Sequence, residues 1–151
     1  MENRIDDLSG PEITTLLTEH IECITQVSPR ESNHMLDLEQ LRQPGITLWT
    51  VWDGRQLAGC GALKEIDPKH GEIKSMRTAK THLRQGVASM LLKHIIAEAK
   101  RRRYHRLSLE TGTMSYFEPA RCLYRKEGFK KCEAFDGYIP DPNSNFFTRE
   151  I

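Results

Sequence analysis

Glu72-Ile73-Lys74-Ser75-Met76-Arg77-Thr78, then a polar loop, then Arg84-Gln85-Gly86-Val87-Ala88-Ser89-Met90-Leu91-Leu92 is the stretch on which the fold of this chain turns. It begins as a strand and opens at Gly86 into an amphipathic helix. Val87, Ala88, Leu91, Leu92, Ile95, Ile96 and Ala99 recur on one face at a period near 3.6. The first-turn N–H groups of a helix have no partner inside it, and the helix dipole adds partial positive charge there. Gly86 and Ala88 let a large anion approach the backbone closely, so the spacing predicts a phosphate cradle formed by the N–H groups of Gln85, Gly86, Val87, Ala88 and Ser89. Taken alone, the pentapeptide better fits an ordinary strand–loop–helix with a glycine at the turn, and the rest of the chain overturns that reading.

Outward from this stretch the chain reads as strands and helices in a definite order. Asn3–Leu8 forms a first strand, and Ile13, Leu16, Leu17, His20, Ile21 and Ile24 make a helical stripe that Ser28-Pro29 breaks. A second helix is predicted over Glu31–Arg42, ended by Pro44-Gly45. Ile46–Trp52 and Gln56–Leu63 are strands joined by an Asp53-Gly54 turn, and a turn at residues 67–71 leads into the Glu72–Thr78 strand. After the central helix come a strand at His105–Thr111, a helix from about Tyr116 to Glu127, a strand at Phe129–Cys132 and a last strand at Phe146–Ile151. A strand, a crossover helix and a further strand in one sheet imply a right-handed parallel connection. The fold class is α+β, a mixed and mostly antiparallel twisted sheet flanked by helices, in one domain over residues 1–151.

Composition narrows the function. The 22 basic and 21 acidic residues nearly cancel, which gives no bulk case for nucleic acid or an anionic membrane. Lys100-Arg101-Arg102-Arg103 reads as a solvated helix end, where cations complement the dipole. No apolar run reaches membrane-spanning length, and no signal-peptide core follows Met1. The four cysteines have no metal or redox spacing and read as reduced thiols of a cytoplasmic protein. The six histidines lack ligand spacing, so no metal is expected, and His82 reads as a solvated loop residue. Trp49 and Trp52 have opposite parity on their strand and point to different faces.

Three separated pieces carry a family resemblance: Arg84-Gln85-Gly86-Val87-Ala88, Leu107-Ser108-Leu109-Glu110-Thr111-Gly112, and Ala120-Arg121-Cys122-Leu123-Tyr124-Arg125-Lys126-Glu127-Gly128-Phe129. In this order they resemble the GNAT superfamily of acetyl-CoA-dependent N-acetyltransferases over almost the whole chain. The segment from Tyr138 through Phe147 further resembles a bacterial YsnE-like branch. Two positions depart from the family pattern. Leu83 stands where Gln or Arg is usual, with Arg84 next to it, and Phe117 replaces a frequent Asn.

The resemblance implies acetyl-CoA as cosubstrate, with direct transfer of its acetyl group to a primary amine on a small molecule or peptide. It implies that the Met76 N–H polarises the thioester and that backbone at Met76 and Thr78 pairs with the pantetheine arm. Arg84 would supply phosphate charge in place of Leu83. Glu72 is the first candidate for the base, by its position in the strand before the loop, and Glu110 on the neighbouring strand is the second. Tyr124 is the candidate acid for the departing thiolate, since an ordinary phenol titrates near pH 10 and roughly matches an alkyl thiol. The acceptor side is expected between residues 28–42 and 133–145, where Glu31, Asp37, Glu39, Asp136 and Asp141 could attract a cationic amine or simply be surface charge. A homodimer is compatible with this reading. The alternative is a non-catalytic acyl-CoA-binding regulatory module.

Overall fold

In the computed structural model, which describes residues 1–28 and 36–151, strand β1 (Glu2–Asp6) runs along one edge of a seven-stranded sheet. Helices α1 (Pro11–Val27) and α2 (Leu38–Leu41) follow, then the meander β2 (Ile46–Asp53), β3 (Gln56–Asp67) and β4 (His70–Thr78). Helix α3 (Val87–Arg101) crosses to β5 (Arg106–Gly112), and α4 (Glu118–Lys126), β6 (Lys130–Lys131) and β7 (Ser144–Glu150) complete the order. The spatial order is β1-β2-β3-β4-β5-β7-β6, and β4 with β5 is the parallel pair in an otherwise antiparallel sheet.

Strand alternation divides the apolar residues between two faces. On one face, Leu91, Leu92, Ile95 and Ala99 of α3 pack against Trp49, Val51, Leu63, Ile73, Leu107, Leu109 and Phe147. On the other, Ile13, Leu16 and Leu17 of α1 pack with Leu41, Leu48, Cys60 and Ala62. Leu92 is fully buried, so truncation to Ala should cost about 2–5 kcal/mol. Trp49 enters the α3 core, whereas Trp52 lies on the other face under the Arg4 guanidinium, 5.3 Å from its ring.

Several boundaries differ from the sequence expectations. The first strand ends early because the Asp6 carboxylate accepts from the Leu8 N–H and Leu8 turns to a φ of +66°. Of the helix expected over Glu31–Arg42, residues 31–35 lie outside the described residues, and the rest is the single turn α2, capped by Asp37. The helix expected from Tyr116 begins as a 3₁₀ turn at Ser115–Phe117 and becomes α-helical at Glu118. At the basic end of α3, Lys100, Arg101 and Arg103 are exposed as expected, with Arg101 paired to Glu98, whereas Arg102 pairs with Glu98, covers Trp49 and donates to Thr47.

Candidate functional site

The sheet is split where the site lies. Pairing between β4 and β5 runs from His70↔Arg106 to Glu72↔Ser108 and stops, although β4 continues to Thr78 and β5 to Gly112. A bulge bends β4 away at that point. Cys60 pairs with Arg77 and Ala62 with Lys74, so Gly61 faces both Ser75 and Met76. Ser75 holds a φ of +56°, and the Cys60 thiol donates to its carbonyl at 3.3 Å. Gly61 has no side chain because a Cβ there would run into the Met76 sulfur.

A cavity of about 130 Å³ opens in the split and is lined by residues from both faces of the sheet. Ile73, Leu107 and Leu109 belong to the α3 core, so alternation puts Glu72, Lys74 and Glu110 on the opposite face, below α1 and the 133–145 segment. Tyr124 of α4 lines the cavity from the α3 side, edge-on to Phe129. Glu72, Glu110, Met76 and Tyr124, picked out in the sequence, therefore meet around one opening. Buried Arg121 ties α4 to the end of β5 by donating to the Gly112 carbonyl at 2.7 Å, which fixes Tyr124 one turn further along.

The two carboxylates have different surroundings. Glu72 is 1% exposed; its Oε2 accepts from the Tyr138 hydroxyl at 2.5 Å and from Lys74 Nζ at 3.2 Å, while its Oε1 is buried with no hydrogen-bond partner. Burial pushes the Glu110 carboxyl up to about 7, against the pull of Lys74 and with the Glu72 and Asp141 charges adding to the rise. His20 of α1 also lines the cavity, and burial with the nearby Arg77 charge pushes its imidazole down to about 4, which keeps it neutral. Burial alone lifts the Tyr124 phenol well above its ordinary value, so the match to an alkyl thiol expected from an unperturbed tyrosine does not hold.

The helix-start loop has the form of an anion cradle. Gly86 is the residue before α3, with φ +81° and ψ +10°, and no side chain caps the helix. A Cβ on Gly86 would meet nothing, so the space beyond the backbone is open. Arg84 also has positive φ, +61°, and Arg84, Gln85 and Gly86 are exposed while Val87 is buried under the sheet. Positive φ at two positions this close together turns the chain sharply as it enters α3. Leu83 is 55% exposed and adds no charge. On the β5 side, Met76 and Thr78 have no ladder partner among the described residues, so this edge of β4 can receive an added strand such as a pantetheine arm.

Other expectations are corrected. His82 is buried, not solvated, because its ring is held between Asp53 Oδ2 at 3.0 Å and Thr81 Oγ1 at 2.7 Å. Of the acidic residues weighed for the acceptor side, Glu31 lies outside the described residues, Asp37 caps α2 and Glu39 pairs with Arg42 as surface charge, while Asp136 pairs with Lys64 and the Asp141 charge acts on Glu110. Glu72 and Glu110 are the carboxylates that line the cavity itself. Sequence reasoning missed Lys74, Tyr138 and His20. Lys74 has a readable signal, since strand parity puts it on the face of Glu72; Tyr138 and His20 arrive from distant segments.

The chain matches the family described as Acetyltransferase (GNAT) family over residues 13–129. It is 57% identical to a Bacillus subtilis (strain 168) protein described as "Uncharacterized N-acetyltransferase YsnE", over 100% of both chains. A putative acyl-CoA N-acyltransferase from Klebsiella pneumoniae has a similar structure, with a TM-score of 0.82 and 26% identity over 99% of this chain and 96% of that one. A GNAT family acetyltransferase from Elizabethkingia anophelis, solved with acetyl-CoA bound, shares the fold at a TM-score of 0.69 and 22% identity over 99% of this chain and 97% of that one.

Proposed function

Because the chain belongs to the GNAT acetyltransferase family, as an N-acetyltransferase of its YsnE-like branch, we propose that it moves the acetyl group of acetyl-CoA directly onto a primary amine. The observation that carries this reading is the cavity in the split of the sheet, lined by carboxylates from one face and by Tyr124 from the other. An acyl donor reaching the split along β4 and an amine reaching it from the α1 side would meet there without a covalent enzyme intermediate. Membership in an enzyme family sets aside the non-catalytic binding module.

The roles divide as follows. The N–H groups of Gln85 to Ser89, with Arg84 beside them, bind the pyrophosphate, and the free edge of β4 at Met76 and Thr78 holds the arm and polarises the thioester carbonyl. The amine arrives protonated, and the unpartnered Glu72 Oε1 gives its ammonium a buried carboxylate oxygen to dock on. Glu110, pushed up to about 7, takes the proton. The amine nitrogen then attacks the carbonyl carbon, the N–C bond forms and the C–S bond breaks, and the second proton that the nitrogen sheds replaces, through solvent, the one that Tyr124 gives to the sulfur. Tyr124, which burial keeps protonated, donates to the departing sulfur. The acceptor is a small-molecule or peptide amine, all four cysteines are free thiols in keeping with a cytoplasmic location, and residues 1–151 act as one domain.

A panel of primary amines incubated with acetyl-CoA, read by thiol release and by mass spectrometry of the product, tests this. Acetylation of at least one amine with matching CoA release is expected. Release of CoA with no acetylated amine, or acetylation of hydroxyl groups instead, would overturn the reading.

A further inference from the structure

We propose that the acceptor is an amine that also carries a carboxylate, its amino group meeting Glu72 and its carboxylate meeting His20 and Arg77 on the α1 side of the cavity. This deepens, and rests on, the reading of the cavity as the place where an amine is acetylated.

Arg77 reaches this face because of the bulge in β4. Lys74 stands opposite Ala62 and Arg77 opposite Cys60, both residues of the α1 core, and directly opposed side chains share a face. Without the extra residue, alternation would put Met76 on the α1 face and turn Arg77 towards α3. The guanidinium is held between two elements. Its Nη2 donates to the Cys23 sulfur of α1 at 3.4 Å, and its Nη1 donates to the Tyr116 hydroxyl at 3.0 Å, in the 3₁₀ turn before α4. Neither partner is a carboxylate, and Nε is buried with no acceptor. A cation taken partly out of water in this way lacks its counter-charge.

His20 lies one turn of α1 before Cys23, on the same side of the helix, and lines the cavity. It is 9% exposed, and its Nδ1 is buried with no hydrogen-bond partner, as is Oε1 of Glu72 in the same cavity. Buried polar atoms are nearly always paired, so two unpaired ones around one cavity mark positions that a ligand fills. The two sit under opposite charge. Glu72 lies beside Glu110, whereas His20 feels the Arg77 charge, which with burial keeps its imidazole neutral. A neutral imidazole facing a carboxylate can present an N–H from Nδ1. Lys74, the cation that lines the cavity, is already held by Glu72 Oε2 at 3.2 Å and the Tyr138 hydroxyl at 2.8 Å. An acceptor with an amino group alone would satisfy Glu72 and leave His20 and Arg77 as they are. A hydroxyl would satisfy His20 but not the Arg77 charge. A carboxylate answers both.

The test is steady-state kinetics of the full-length protein with acetyl-CoA and matched sets of acceptors. One arm sets straight-chain ω-amino acids against n-alkylamines; the other sets α-amino acids against the amines left by their decarboxylation. Each acid is also offered as its carboxamide, which keeps the shape and removes the charge. In at least one set the acid should show a kcat/KM roughly 10- to 100-fold above both its amine and its amide, as expected of one charge-assisted contact. The arm in which this preference appears gives the spacing of the two groups. In Arg77→Met the ratio of acid to amide should fall towards one, through a raised KM for the acid with kcat little changed. His20→Ala should lower the ratio less, since it removes a neutral donor. A purely structural arginine would lower activity on acid and amide alike, and an unchanged ratio in the folded variant overturns the inference. If Arg77→Met does not fold, the ratios of the native protein decide. Amines or amides acetylated as well as their acids would overturn the inference and leave acetyl transfer standing. If no amine in any set is acetylated, the functional reading fails and the inference falls with it.

Discussion

The imidazole of His82 links two segments that the cradle depends on: its Nε2 lies 3.0 Å from Asp53 Oδ2, and its Nδ1 lies 2.7 Å from Thr81 Oγ1. Asp53 closes β2, so the contact ties the segment just before the phosphate loop to the turn between β2 and β3. His82→Ala and Asp53→Asn should each loosen residues 83–86 and raise the KM for acetyl-CoA by roughly 3- to 10-fold, about 1 kcal/mol for one hydrogen bond, with kcat little changed. Steady-state kinetics checks this. An unchanged KM alongside a lowered Tm would mean the pair supports only the fold.

At Gly86 the backbone stands in the left-handed region with nothing within contact of a would-be Cβ. Asp is among the residues that tolerate this conformation, so Gly86→Asp should fold while putting a carboxylate where phosphate is expected. Calorimetry should then show severely weakened acetyl-CoA binding. Arg84→Ala should raise the KM for acetyl-CoA several-fold, on the order of 1–2 kcal/mol for one charge-assisted contact. If Arg84→Ala leaves the KM unchanged, backbone N–H groups and the helix dipole hold the phosphates alone.

The order of elements was legible because each carries local chemistry: the periodic apolar face of α3, the Asp53-Gly54 turn, the Gly128 stop after α4. Glu72, Glu110 and Tyr124 were legible as candidates, and the structure brings them to one cavity. What differs between them was not legible, because it depends on contacts across long stretches of sequence. Tyr138 reaches Glu72 from 66 residues away. The burial that shifts Glu110 and Tyr124 needs α1, α4 and the sheet assembled together. The bulge at Ser75 and Met76 was likewise hidden, since it is a mismatch between two strands and Gly61 marks it only once β3 lies opposite.

Half-buried Glu110 should leave a mark on stability that does not depend on any substrate. Its carboxyl rises from 4.5 to about 7 on folding, so the native state holds more protons than the unfolded chain between those values. Stability from this group is therefore fully present below about pH 4.5 and lost as pH rises through about 7. His20 acts in the opposite sense over a lower range: its contribution is present above 6.5 and lost as pH falls to about 4. Glu110→Gln removes the first effect and should gain stability over the native protein at pH 8 relative to pH 5, by on the order of 2–3 kcal/mol. Denaturant unfolding at the two pH values measures it; equal differences for both proteins would place Glu110 in water rather than in a low-dielectric cavity.

The two ends of the proton path should separate by their response to pH, using an amine that the panel identifies. With Glu110 at about 7, the native rate should climb as pH rises through neutrality, because the carboxylate form is the one that accepts a proton. Glu110→Gln should lose that step and be slowest, relative to the native protein, at neutral pH, where the amine arrives protonated. Raising the pH towards the amine's own pKa should recover much of the loss, since free amine needs no base. Tyr124→Phe keeps the ring against Phe129 and removes only the hydroxyl. It should lower kcat by roughly 10²–10³ with little change in acetyl-CoA affinity, and no rise in pH should rescue it. If Glu72→Gln shows the high-pH rescue and Glu110→Gln does not, Glu72 is the base and Glu110 only shapes the field around it. If all three variants respond to pH alike, neither carboxylate nor phenol carries the proton in the step that limits the rate.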